Sequence, residues 1–259
     1  MTCYFHYRFI DRTIQSLRAS KGKFTFDLYF LENPSIYTPQ IRKIAEKYNI
    51  KNHYICNDNI GGQINVVFLK NLDPEDLSDY DFIAITEGDV VLDKYAIAEA
   101  IYILNKHPNL NLCSINIRCG LPKYKKIKHK IANWVSHGIA FADFVQGGTG
   151  FQFILFKKDF LFKFIHSILD SQLKSPVARG VDDFTGLSDT NLGLFCRQER
   201  QLWARTKHTK LDHIGWEPMI YINDPLNVAY TKKKNELVGK KIRVNLNYDD
   251  YKLKLLTRS

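Results

Sequence analysis

Over its first 108 residues the chain repeatedly changes its hydrophobic period. Short runs rich in β-branched and aromatic residues (24–31, 52–56, 82–86) alternate with segments whose apolar residues recur every three or four positions. Ile10, Ile14 and Leu17 form one such stripe. Residues 38–49, with Pro39 near the start, and 94–108, stopped by Pro108, form others. Residues 64–72 read as helical in this setting despite their β-branched content. A parallel neighbour strand needs a crossover, and a helix is its usual form. The alternation therefore predicts an α/β fold: one domain with a mostly parallel central sheet and helices on both faces. Beyond residue 110 the pattern loosens. Strands are expected at 111–118, within 147–156 and at 210–216, with helices over 158–173 and just before Arg200.

Composition narrows the partners. Apolar residues make up 45% of the 259, enough for a sizeable core. Lys and Arg number 37 against 27 Asp and Glu, a net of +10, which suits a partner carrying phosphates. Nine basic and three acidic residues fall in 231–259, and "LPKYKKIKHK" at 121–130 adds five lysines. These stretches are either solvated surface or a docking face for anionic lipid or a phosphorylated acceptor. Residues 1–230 are expected to form the main domain and 231–259 a basic C-terminal extension. No helix-turn-helix, zinc finger or other base-reading module is visible, so nucleic acid is not expected. Five cysteines, an odd number without a C-x-x-C, fit reduced thiols in the cytoplasm. No apolar run approaches the ~20 residues of a membrane span, so any membrane contact would be peripheral, at the inner face.

The stretch "FIAITEGDVVLD" at 82–93 ends an apolar strand in Glu87-Gly88-Asp89 and restarts at once. Two carboxylates one residue apart are costly at a buried strand end unless solvated or paired with positive charge. In α/β sheets ligands bind beyond the carboxyl ends of parallel strands. The turn at Glu32 and the glycine loop at 57–63 are expected at the same end. Two oxygen ligands with room for water and phosphate oxygens suit Mg²⁺ or Mn²⁺.

The order of motifs resembles that of the A-type nucleotide-sugar glycosyltransferases, especially the family-2-like enzymes. "LENPS" stands where that family has an acidic turn touching the nucleoside, which implies donor contact by Glu32. "NDNIGGQ" matches its Asn-x-Gly loop at Asn59 and Gly61, with Gln63 beside them, and the acid-x-acid pair falls on Glu87 and Asp89 around Gly88. "QGGTGF" matches a glycine-containing strand entry, placing Gly147 and Gly148 near the sugar. "LSDTNLGLFCR" matches an acidic segment opening an Arg-bearing helix, and "HIG" a His-x-Gly at His213. The resemblance implies a metal held by Glu87, Asp89 and His213, a nucleotide-sugar donor, and a glycan or lipid-linked acceptor. It implies Asp189 as the base, with Asp183 and then Asp182 as alternatives. His6, Tyr7 and Arg8, at the end of the first strand, would face the nucleotide.

The chain also departs from the family pattern. Ser188 and Asn191 replace two of the family's acids, and "FHYR" replaces its Pro-Thr-Tyr-Asn. The first strand begins almost at residue 1, so an N-terminal truncation is conceivable. Several of these residues also have purely structural readings: Asn59 and Gly61 as left-handed turn formers, Asp189 as a helix cap, the glycines as a tight turn, Trp203 and Trp216 as core. Two rival functions remain at this level: a sugar-phosphate nucleotidyltransferase, disfavoured by the lack of a long basic glycine loop, and a non-catalytic carbohydrate- or anionic-surface-binding module.

Overall fold

A computed structural model describes residues 1–3, 7–72, 74–118, 139–148, 151–170, 187, 189–214 and 248–256. In chain order its first half contains β1 (Thr2–Cys3), α1 (Tyr7–Arg18), β2 (Tyr29–Glu32), α2 (Thr38–Lys47), β3 (Asn52–Cys56), α3 (Ile64–Asn71), β4 (Phe82–Thr86), β5 (Val90–Leu92) and α4 (Ala96–Lys106). Then follow β6 (Leu112–Ile117), β7 (Phe144–Gln146), β8 (Phe153–Lys157), α5 (Lys158–Leu169), α6 (Asp189–Gln198), β9 (Ala204–His213) and β10 (Leu253–Leu255).

The strands form two runs, β1-β2-β3-β10 and β4-β8-β6-β9-β5, with β7 also on β9. A parallel bridge between Thr2 and Glu87 joins them. Helices cover both faces, as the alternation predicts. One face packs Ile10, Ile14, Ile41, Ile97 and Ile103 from α1, α2 and α4. The other packs Ile64, Val67, Leu161, Phe164, Leu192 and Phe195 from α3, α5 and α6. Strand side chains alternate between the two: Phe153 and Leu155 of β8 go to the first, Ile154 and Phe156 to the second.

The α/β class is as expected, but the sheet is mixed where a mostly parallel one was expected. Pairings β1–β2, β2–β3 and β6–β9 are parallel; β3–β10, β4–β8, β6–β8, β5–β9 and β7–β9 are antiparallel. The reason lies in burial. Phe153–Phe156 are all buried, and a strand covered on both faces shows a continuous apolar run whichever way its neighbours point.

Two further differences concern the ends. The expected strand at 24–31 narrows to β2. The part of 231–259 that is described belongs to the sheet: Leu253 pairs with Cys56 and Leu255 with Tyr54, antiparallel to β3. Asn57 N–H donates to Lys252 O at 3.0 Å, and Lys70 pairs with Asp249. The lysines at 232–234, Lys240, Lys241 and Arg243 lie outside the described residues.

Candidate functional site

β4 ends at Thr86, and the chain turns through Glu87-Gly88-Asp89 into β5. Three elements fix that turn. Thr13 of α1, fully buried, donates its hydroxyl to Gly88 O at 3.0 Å and accepts Val90 N–H at 3.1 Å. Thr86 Oγ1 and Glu87 N–H both donate to Gln152 O, at 2.8 and 3.2 Å. Ile214 N–H donates to Asp89 O at 2.8 Å, and Val90 lies opposite His213 in the β5–β9 ladder. The ladder therefore carries His213, from more than a hundred residues downstream, onto the acid pair.

His213 Nε2 lies 3.0 Å from Asp89 Oδ2 and 3.3 Å from Glu87 Oε2. Asp89 is 1% exposed, the His213 side chain 15% and Glu87 39%. Burial pulls the imidazole pKa down, but hydrogen bonds and charge from Asp89 and Glu87 outweigh it and raise it to about 9. One ligand atom from each of the three residues lies within 4.8 Å of the others. Two carboxylates and an imidazole make an O,O,N donor set, and their two negative charges match a divalent cation once the imidazole is neutral. The residues fit such an ion. Imidazole is a poorer ligand than oxygen for hard Mg²⁺.

Other expected site residues gather at the same strand ends. Cys3 lies opposite Glu32, and Thr2 opposite both Leu31 and Glu87. Tyr7, the first residue of α1, stacks on Tyr37 with ring centroids 4.6 Å apart, and Arg8 Nε donates to the Tyr7 hydroxyl at 3.0 Å. Glu32 is fully buried, its Oε2 2.7 Å from His53 Nε2, so its carboxylate is closed to solvent. Asn33, buried beside it, donates to Gly61 O and accepts Ile60 N–H, both at 3.0 Å. Asn59 Oδ1 accepts Gly61 N–H at 3.2 Å, and Gly61 has φ +58, a left-handed turn that favours glycine.

Gln63, expected near the donor, is 2% exposed and clasps a peptide group. Its Oε1 accepts Leu187 N–H at 2.8 Å, and its Nε2 donates to Leu187 O at 3.3 Å. That clasp holds the chain two residues before Asp189, the first residue of α6. Gly147, with φ +126, donates to Trp203 O at 2.7 Å; a Cβ on Gly148 would meet three Trp203 ring atoms at 2.8 Å. Both glycines thus seat β7 against Trp203. His6, Asp182 and Asp183 lie outside the described residues.

Sequence reasoning missed Thr13, Asn33 and the role of Gln63. Thr13 had a signal: it falls three residues after Ile10, on the apolar stripe, where a hydroxyl needs a partner. Asn33 and Gln63 had none, because their partners are 27 and 124 positions away.

No family model matches the chain. Two uncharacterized proteins of Acanthamoeba polyphaga mimivirus are 26% and 24% identical over 223 residues, covering 81% of this chain. The chain spans 28% and 41% of the length of these curated relatives. Solved structures similar to it include two glycosyltransferases and TarS. A mannosyltransferase from Pyrobaculum calidifontis, in complex with GDP-mannose and Mn²⁺, matches with a TM-score of 0.42 at 13% identity, over 62% of this chain and 44% of its own. TarS of S. aureus gives 0.43 at 15%, over 63% and 28%. The bifunctional glycosyltransferase WbbM, in its apo form, gives 0.37 at 12%, over 90% and 51%.

Proposed function

We propose that the chain is a metal-dependent glycosyltransferase, moving a sugar from a nucleotide-sugar donor to a hydroxyl of a glycan or lipid-linked acceptor with inversion. The observation that carries this reading is the meeting of Glu87, Asp89 and His213 at the carboxyl end of β4, on a turn pinned by Thr13 and the β5–β9 ladder. These three residues would hold Mn²⁺, whose Lewis acidity would offset the charge developing on the leaving diphosphate. Tyr7, Arg8 and the loop held by Asn33 border the same strand ends and supply aromatic, cationic and amide groups for the nucleotide. Asp189, at the start of α6, is the proposed base for the acceptor hydroxyl. The helix N-terminus favours its ionised form, and the Gln63–Leu187 clasp supports its position. No helix among the described residues is long and apolar enough to cross a membrane. Contact with an anionic membrane through the basic stretches at 121–130 and 231–247 is part of the proposal.

The test is a thermal-shift screen of nucleotide-sugars with and without Mn²⁺. A matching donor at a hundredfold above its Kd should stabilise by about 2.7 kcal/mol, only with the metal. The Asp89→Ala variant should lose that response. Stabilisation by a donor equal in both proteins, or independent of metal, would overturn the assignment of these ligands.

A further inference from the structure

α4 grips β9 through Glu99. Its Oε1 accepts Lys207 N–H at 2.8 Å and His208 N–H at 2.9 Å, and its Oε2 accepts Thr209 N–H at 2.7 Å. Three successive peptide N–H groups turned toward one carboxylate form an anion cradle. A regular strand cannot make one, because its successive N–H groups point in opposite directions. β9 is irregular there. Between the pairs Ser114–Arg205 and Asn116–Lys210, β6 advances two residues and β9 five. The surplus forms a bulge over residues 206–209. Thr206, fully buried, closes its base: the hydroxyl oxygen accepts Asn116 N–H at 2.9 Å, and the hydroxyl donates to Thr209 O at 2.8 Å. Lys207 and His208 are exposed, so side-chain burial does little to hold the bulge. Glu99 supplies the acceptors that its N–H groups need.

The bulge decides which residue of β9 meets the acid pair. Beyond it, Leu211 pairs with Leu92, and His213 with Val90, the residue after Asp89. Were the three surplus residues drawn into the ladder, Lys207 would face Asn116, and Lys210 would stand opposite Val90. An ammonium there would pair with the carboxylates and has no lone pair to offer a cation. Asp93 also holds β9, accepting Lys210 N–H at 2.8 Å and donating its own N–H to Lys210 O at 2.9 Å. Those bonds would suit any residue at that place. The Glu99 cradle exists only in the bulged register.

We propose that Glu99 is a positioning residue of the metal site: its carboxylate selects the register of β9 that sets His213 on Glu87 and Asp89. The inference rests on the reading of those three residues as metal ligands. Asp89 and Glu99 lie ten positions apart on one continuous segment. The segment that carries a metal acid thus also fixes the strand that brings the imidazole to it.

The test uses Mn²⁺ alone on the full chain, as it stands and as Glu99→Ala, Glu99→Gln and His213→Gln. EPR of free Mn²⁺ gives the affinity, and pulsed EPR reads nitrogen coupled to the bound ion. The coupling should be present in the unmodified chain and absent in His213→Gln. Glu99→Ala should weaken Mn²⁺ binding roughly tenfold or more and lose the nitrogen coupling, leaving the carboxylates to bind alone. Without metal, the Ile214 amide, which donates to Asp89 O, should exchange roughly tenfold faster, while the β4 amides bonded to β8 hold. Glu99→Gln keeps the shape but turns an amide N–H₂ against at least one of the three N–H groups. It should show the same losses to a lesser degree, and it decides the matter if the alanine form does not fold. Unchanged affinity and nitrogen coupling in a folded Glu99 variant would overturn the proposal, since a merely structural role moves only the melting temperature. Absence of nitrogen coupling in the unmodified chain would instead overturn the ligand reading, and the role of Glu99 with it.

Discussion

His213, in its proposed ligand role, would make Mn²⁺ binding answerable to pH. In the metal-free protein its Nε2 faces both carboxylates, and the imidazole is protonated up to about pH 9. A metal needs that same nitrogen neutral, so binding must expel a proton wherever the imidazole is charged. Below pH 9 the apparent affinity should climb close to tenfold per pH unit, and between pH 6.5 and 8.5 the rise should be roughly 80-fold. Calorimetry in two buffers of different ionisation enthalpy at pH 7.5 should count close to one proton released per Mn²⁺. Stability without metal should run the opposite way. The folded pKa lies above the ordinary value of 6.5, so the ion pair contributes fully below pH 6.5 and is lost as pH rises through about 9. The contribution is about 3 kcal/mol. His213→Gln should flatten both curves. Mn²⁺ affinity independent of pH over this window, or no proton release, would refute the assignment of His213 Nε2 as a ligand.

Asp189→Asn should keep donor binding and lower transfer at least roughly a hundredfold, read by single-turnover assay; unchanged transfer would move the base to another residue, Asp183 first. Gly148→Ala should destabilise by about 1–3 kcal/mol in urea unfolding, because its Cβ would press on the Trp203 ring. His53→Leu leaves Glu32 buried without its partner and should cost about 3–5 kcal/mol, whereas Glu32→Gln, which keeps the shape and a hydrogen bond, should cost far less by the same measurement. Changing Lys232, Lys233, Lys234, Lys240, Lys241 and Arg243 together to Ser should weaken sedimentation with acidic liposomes, most at low salt. Deleting 231–259 outright should also lower the melting temperature, because β10 goes with it.

The sequence by itself determined the local elements and the acid pair. Amphipathic stripes such as Ile10–Ile14–Leu17 fix helices because burial of one face is decided within a few turns. Glu87-Gly88-Asp89 stood out because two carboxylates at the end of an apolar strand demand a positive partner. Strand direction was not legible: β8 buries both faces, and continuous apolar runs carry no sign of whether a neighbour is parallel or antiparallel. The resemblance grouped His213 with the acids; tertiary structure decided how it reaches them, since the β5–β9 register brings together residues far apart in the chain. It also decided that Gln63 clasps Leu187 and that Glu32 turns to His53. A polar side chain's type states that it needs a partner; which partner it meets is set only when the sheet assembles.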